Sequence, residues 1–269
     1  MTTITVLSQK GGTGKTTTVR TLADIFRRVE LRVLAVDLDP QANLSDYFAV
    51  DPEASPTIGD VLAGRAKIAD AVTGGIVPAN LGLAEAELVL TGKLGRELTL
   101  RRALAEISGG YDLIMIDCPP ALGLLTVNAL VASDYALLSA EAQYFALQGV
   151  EQALEVIELA RDSLNPELRL LGILLNIADM RTRHSREAFD LLRRHYGEKL
   201  LDTVIRASIG YAESAERARS ILDHRPDLAV DYLNVADELL RRLGLADART
   251  RLAALVESGL PWAAADGSR

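Results

Sequence analysis

The sequence predicts an α/β protein: a doubly wound, mostly parallel β-sheet with helices on both faces. Three observations carry that expectation. Short apolar or β-branched runs alternate with helical patterns along the chain. The first run passes straight into a glycine-rich turn and an amphipathic helix. Two later apolar runs end in aspartate, where an open α/β sheet places its ligands beyond the strand ends.

The strand-like runs are residues 2–7, 32–37, 81–84, 113–117, 135–140, 168–176 and 200–205. The clearest helix between them is 145–160, where Ala146, Leu147, Val150, Ala153, Leu154 and Ile157 form one apolar stripe. Residues 51–57 and 91–99 read as loops, 227–243 and 246–256 as C-terminal helices, and 261–269 as part of a loose tail. With no repeat and no low-complexity stretch, the expectation is one domain over 1–258 and a tail over 259–269.

The turn reads Ser8-Gln9-Lys10-Gly11-Gly12-Thr13-Gly14-Lys15-Thr16-Thr17, and Val19, Leu22, Ala23 and Phe26 continue it at helical spacing. Glycines let several backbone N–H groups converge, and the helix N-terminus adds its positive dipole at the same point. That arrangement suits a triphosphate, with Lys15 on the β- and γ-phosphates and the Thr16 hydroxyl on Mg²⁺. Gln9 stands where the usual phosphate-loop pattern has its first glycine, and an extra lysine, Lys10, precedes Gly11. Lys10 cannot easily fold back onto phosphates wrapped by its own loop, but it can reach a nucleotide held by a second copy facing it.

The chain has 269 residues, 49% hydrophobic and only 4% aromatic, which fits parallel strands covered on both faces. No apolar run is long enough to span a membrane, the N-terminus enters a strand without a leader, and the single cysteine, Cys118, allows no internal disulfide. These features predict a cytoplasmic protein. Cys118 reads as a small packed residue, since no histidine lies near it in sequence.

Residues 33–36 run into Asp37-Leu38-Asp39-Pro40-Gln41-Ala42-Asn43. Alternation along a strand points Asp37 and Asp39 to opposite faces, so one acid can face a γ-phosphate and orient water. Leu113-Ile114-Met115-Ile116 ends in Asp117 before Cys118-Pro119-Pro120, which is the Mg²⁺-side element of phosphate-loop NTPases. Strands often end in Asp at a turn, but two such ends after a phosphate loop are hard to assign to chance.

Lys10–Thr17, the segment 37–43 and the run 111–130 closely resemble the ParA/Soj family, deviant Walker A ATPases that segregate replicons with a ParB partner. The likeness covers most of residues 1–243. It implies a homodimer sandwiching two ATP molecules with Mg²⁺, in which Lys10 crosses to the other subunit's phosphates. Lys15 would be the loop lysine, Thr16 a Mg²⁺ ligand and Thr17 a phosphate contact, with Gly11, Gly12, Thr13 and Gly14 wrapping the phosphates. By the same resemblance Asp39 positions the hydrolytic water near the metal, Asp117 supports the metal through water, and Asn176 reads the adenine edge.

Members of this family bind double-stranded DNA without sequence preference, so a nucleoid-associated protein is implied. Net charge is −8, yet residues 181–225 hold nine Arg and one Lys against seven acidic residues, a local +3. On a helix over 185–196, Ala188, Phe189, Leu192 and Tyr196 form the buried stripe, while Arg186, Arg193 and Arg194 face outward. Dimerisation would roughly double the phosphate contacts of such a face and steepen its salt dependence. One arginine that relatives use on DNA is replaced by Gly210, so Arg206, Arg217 and Arg219 join the candidate contacts.

Three alternatives remain. A MinD-like membrane-positioning ATPase needs a C-terminal amphipathic helix, and 243–256 offers Arg249 and Arg251 opposite mostly Ala and Leu. A ParA-like protein can also place a protein cargo on the nucleoid. A kinase or iron–sulfur reductase of related fold leaves Lys10 unexplained or lacks the cysteines. With the loop starting at residue 8, no helix-turn-helix domain is expected ahead of it.

Overall fold

The computed structural model describes residues 1–143 and 146–258. Residues 144 and 145, the expected tail over 259–269 and Trp262 within it lie outside the described residues. In chain order the elements are β1 (Thr2–Leu7), α1 (Lys15–Arg28), β2 (Val33–Asp37), α2 (Asn43–Tyr47), α3 (Ile58–Ala63), β3 (Ile76–Val77), α4 (Gly82–Thr91) and α5 (Thr99–Ala105). There follow β4 (Leu113–Asp117), α6 (Leu124–Val131), β5 (Tyr135–Glu141), α7 (Ala146–Ser163), β6 (Arg169–Ala178) and α8 (Arg183–Tyr196). The rest is β7 (Leu200–Arg206), α9 (Gly210–Glu216), α10 (Ile221–His224), α11 (Pro226–Arg242) and α12 (Ala246–Glu257).

The strands form one seven-stranded sheet in the order β3-β2-β4-β1-β5-β6-β7, and every pairing is parallel. Period-two alternation builds a core on each face. Leu34, Val36, Ile114 and Ile116 point to one face, which α3 to α7 cover with residues such as Leu62, Leu90 and Val150. Val33, Ala35, Leu113 and Met115 point to the other, where α1, α11 and α12 supply Phe26, Leu239 and Leu252. β1 lies at the centre, so the loop that follows it emerges in the middle of the sheet's C-terminal edge.

Two expectations fail locally. Residues 81–84 are not a strand. The third strand is Ile76–Val77, and α4 begins where Asn80 Oδ1 accepts the Gly82 N–H at 3.0 Å and the Asn80 carbonyl accepts that of Leu83 at 2.9 Å. An Asx turn of this kind starts a helix, and the four-residue Leu-Gly-Leu-Ala run is too short to show its period. The expected loop at 91–99 contains a 3₁₀ turn, Arg96–Leu98, that leads into α5. The loop at 51–57 ends in a capping box in which Thr57 and Asp60 satisfy each other's backbone N–H.

Candidate nucleotide-binding site

The turn between β1 and α1 is shaped by two left-handed glycines, Gly12 at φ 75° and Gly14 at φ 83°. A side chain at Gly14 would also meet the Asn176 amide at 3.3 Å, so space and conformation both demand glycine there. Ser8 organises the turn from below. Its hydroxyl donates to the Lys10 carbonyl at 2.7 Å and accepts from Thr13 Oγ1 at 2.9 Å and Lys15 Nζ at 3.1 Å. Ser139 of β5 ties down the same turn by donating to the Thr13 carbonyl at 2.6 Å.

The two lysines are held in opposite settings. Lys15 is buried at 6% exposure. The Lys10 side chain is 63% exposed, and its ammonium turns away from the loop to Gln143 Oε1 at 2.9 Å and Glu141 Oε2 at 3.4 Å.

Register sets the carboxylates. Asp37 and Asp117 are partners on the adjacent strands β2 and β4, and each is at most 1% exposed. The Thr16 hydroxyl donates to Asp117 Oδ2 at 2.6 Å, while Asp117 Oδ1 is buried with no hydrogen-bond partner. Burial pushes the Asp117 carboxyl well above the ordinary carboxylate range, and the neighbouring Asp37 raises it further. Asp37 is also raised by burial, though less, because the Asp39 and Ser45 N–H groups and the Ser45 hydroxyl donate to it. An unpaired buried oxygen beside a threonine hydroxyl is the donor set of a hydrated Mg²⁺ shared with phosphate, not of an all-protein metal cage. Accordingly, no group of three or more His, Cys, Asp or Glu side chains with metal-ligand spacing occurs among the described residues.

Asp39 lies just past the end of β2, its Oδ1 accepting the Gln41 N–H at 2.9 Å. It faces a cleft of about 770 Å³ that Gly11 to Thr17, Asn176, Arg206, Tyr211 and Glu216 also line. The expected loop residues, Asp39 and Asn176 are thus brought together, with Asp117 directly beneath Thr16. Asn176 is 1% exposed, and its amide nitrogen is already committed to Ser139 Oγ at 2.7 Å and Thr18 Oγ1 at 3.4 Å. Thr18 in turn shares a 3.1 Å hydrogen bond with the buried Tyr232 hydroxyl. Ser8, Ser139, Thr18 and Tyr232 were not legible as site residues, because only three-dimensional pairing shows their contacts with the loop.

The six candidate DNA arginines divide. Arg206 is locked on Asp231 at 2.7 and 2.8 Å and belongs to the cleft wall. Arg193 pairs with Asp202 at 2.8 Å and lies over the Phe189 ring. Arg186 donates to the Met180 and Arg181 carbonyls and fastens the turn before α8. Arg194, Arg217 and Arg219 are exposed and make no ion pair among the described residues.

A central phosphate loop on a parallel sheet, backed by two strand-end carboxylates, defines an α/β phosphate-loop NTPase. A family model described as an AAA domain, AAA_31, matches residues 1–170. The chain is 38% identical over 245 residues to the chromosome-partitioning ATPase Soj of Thermus thermophilus, covering 89% of this chain and 96% of that protein. It belongs to the ParA/Soj family of phosphate-loop ATPases. Two solved structures share the fold. Cobyrinic acid a,c-diamide synthase from Mycobacterium smegmatis with bound ADP and magnesium has TM-score 0.74 and 37% identity over 83% of this chain and 95% of that one. The septum site-determining protein MinD of Pyrococcus horikoshii, complexed with Mg-ADP, has TM-score 0.73 and 27% identity over 91% and 98%.

Proposed function

We propose that residues 1–258 act as one Mg²⁺-dependent ATPase domain that pairs with a second copy around two ATP molecules, binds DNA without sequence preference in that state, and releases it on hydrolysis. A ParB-type partner would stimulate hydrolysis, and the cycle would segregate a chromosome or plasmid in the cytoplasm, on the nucleoid. The observation that carries this reading is the separation of the two lysines, Lys15 buried in its loop and Lys10 exposed and turned outward.

Mg²⁺ bound at Thr16 and the phosphates would neutralise charge on the transferred group. Lys15 would hold the β- and γ-phosphates, and backbone N–H groups of residues 11–16 would wrap them. Asp39 would orient the attacking water, and Asp117 would fix the metal's water shell through its free oxygen. The second cation at the γ-phosphate would be Lys10 of the partner subunit. Hydrolysis by a lone protomer is therefore slow, because charge stabilisation is incomplete until the copies meet.

A membrane-positioning role is disfavoured by α12. Ala248 and Leu252 are buried, Arg249 pairs with Asp237 at 2.7 Å, and Arg251 donates to the Val29 carbonyl at 2.7 Å. No helix among the described residues is long and apolar enough to cross a membrane. Nucleophilic chemistry at Cys118 is disfavoured too, since Cys118 is fully buried and burial pushes its thiol far up.

The test is a titration of duplex DNA with ATP, with ADP and without nucleotide, at two salt concentrations. Tight, steeply salt-dependent binding with ATP alone is expected. Equal binding in all three states, or none, overturns the DNA reading.

A further inference from the structure

We infer that Tyr47 and Ser214 are positioning residues that join the hydrolytic segment 37–47 to the arginine-bearing turn 214–219, so that the two move as one body. The inference rests on the partition-ATPase reading and deepens it, by naming how the nucleotide site would reach the DNA-binding surface.

The link runs through three groups on two segments far apart in sequence. Tyr47 ends α2, is 1% exposed, and its hydroxyl lies 2.5 Å from Ser214 Oγ on α9. Ser214 is fully buried, and its hydroxyl donates to the Arg219 carbonyl at 2.5 Å. Ser214 has one proton to give, and the Arg219 carbonyl takes it, so the Tyr47 hydroxyl is the donor in the first bond. Burial raises the Tyr47 hydroxyl pKa, which keeps that donor protonated.

Both ends of the link are tightly fastened. On the nucleotide side, Asp37 accepts from Ser45 at 2.8 and 2.9 Å, so α2 hangs from the tip of β2. Asp39, Gln41, Asn43, Asp46 and Tyr47 all line the cleft, so an occupant of the cleft acts directly on this segment. Arg20 holds the end of α2, donating to the Tyr47 carbonyl at 2.6 Å with its guanidinium 4.0 Å from the Phe48 ring centroid. On the arginine side, the Arg219 N–H returns to the Ser214 carbonyl at 3.0 Å, closing the turn around Ala218 at φ 47°. Arg217 and Arg219 are exposed on that turn, while Ala215, Glu216 and Ala218 border the same cleft.

The Tyr47 and Ser214 hydroxyls are buried and paired with each other, so shifting one segment alone would leave a buried hydroxyl unsatisfied. Coupled motion avoids that penalty. A change at Asp39 on nucleotide exchange would therefore alter how Arg217 and Arg219 are presented.

Tyr47→Phe removes one hydroxyl and keeps the ring, and Ser214→Ala removes the relay. In the full-length chain each should cut the ratio of duplex-DNA affinity with ATP to that with ADP by about fivefold, the worth of one net hydrogen bond. For Ser214→Ala, whose side chain lies outside the cleft lining, affinity for Mg-ATP should stay within about twofold, and the double variant should lose no more of the ratio than either single one, because both break the same path. If the wild type shows ATP-dependent binding and both variants keep its full ratio, the coupling is overturned and the partition reading stands. If the wild type binds no DNA in any state, the partition reading fails, and amide hydrogen exchange decides the coupling. Mg-ATP should then slow exchange over residues 214–219 in the wild type but not in Tyr47→Phe, and equal protection in both would overturn it.

Discussion

The tips of β1, β2 and β4 and the region around α8 and β7 treat charge in opposite ways. At the tips, Asp37 and Asp117 are packed side by side and buried, and Asp117 keeps one oxygen unpaired. Around α8 and β7, charges are exposed and mostly cancelled within the chain: Arg183 by Glu187, Arg193 by Asp202, Arg206 by Asp231 and Arg225 by Asp227. An interior that leaves a buried carboxyl oxygen unpaired is set up for an external cation. A surface that cancels its own charge retains few arginines for an external anion, and net charge counted along the sequence overstates what it offers.

The hardest test of the first region is Lys15→Ala. Loss of a buried charged donor to phosphate should weaken ATP binding by about 100-fold, measured by calorimetry, while the fold survives. Asp39→Ala should lower hydrolysis by about 100-fold or more and leave ATP binding intact. Its ATP-loaded form should elute as a dimer in size-exclusion chromatography with light scattering, and a persistent monomer at high concentration would remove the case for Lys10 acting in trans.

The buried carboxylates also predict a pH effect with a definite sign. Their folded-state pKa values are raised, Asp117 to about 8, so the folded protein holds protons that the unfolded chain has released. Without nucleotide and metal, the stability these two groups contribute should therefore be full below the ordinary carboxyl pKa of about 4 and be lost as pH rises from there toward 8, by at most about 1.4 kcal/mol per pH unit for each titrating group. Urea denaturation at pH 5.5 and 8.0 checks this, and Asp117→Asn should flatten the dependence.

The smallest expected effects sharpen the second region. Arg194→Ala, Arg217→Ala and Arg219→Ala should each reduce the salt slope of DNA binding by about one, the signature of a lost phosphate contact. Arg186→Ala and Arg193→Ala should leave that slope unchanged, because those guanidinium groups are spent on carbonyls and on Asp202.

What was legible in the sequence follows the same division. The positions of the phosphate loop, Asp39 and Asp117 could be read because the signal is local: a strand, a turn and the residue at its end. The stripe on α8 was legible for the same reason. The misplaced third strand was not, since Ile76–Val77 offers only two residues of period and Asn80 redirects the chain into a helix. Nor was the cancellation of Arg206, whose partner Asp231 lies on α11. The Tyr47–Ser214 bond spans 167 residues and shows no sign in either neighbourhood.

The position of β1 has a consequence for how the molecule is made. That strand pairs only with β4 and β5, whose residues begin at Leu113 and Tyr135. That strand therefore waits for about a hundred further residues before it gains a strand partner, and high contact order of this kind slows assembly. A nascent chain halted before Leu113 carries every residue of the phosphate loop but neither of the two strands that flank β1, so the sheet that carries the loop cannot close around it until both have been made.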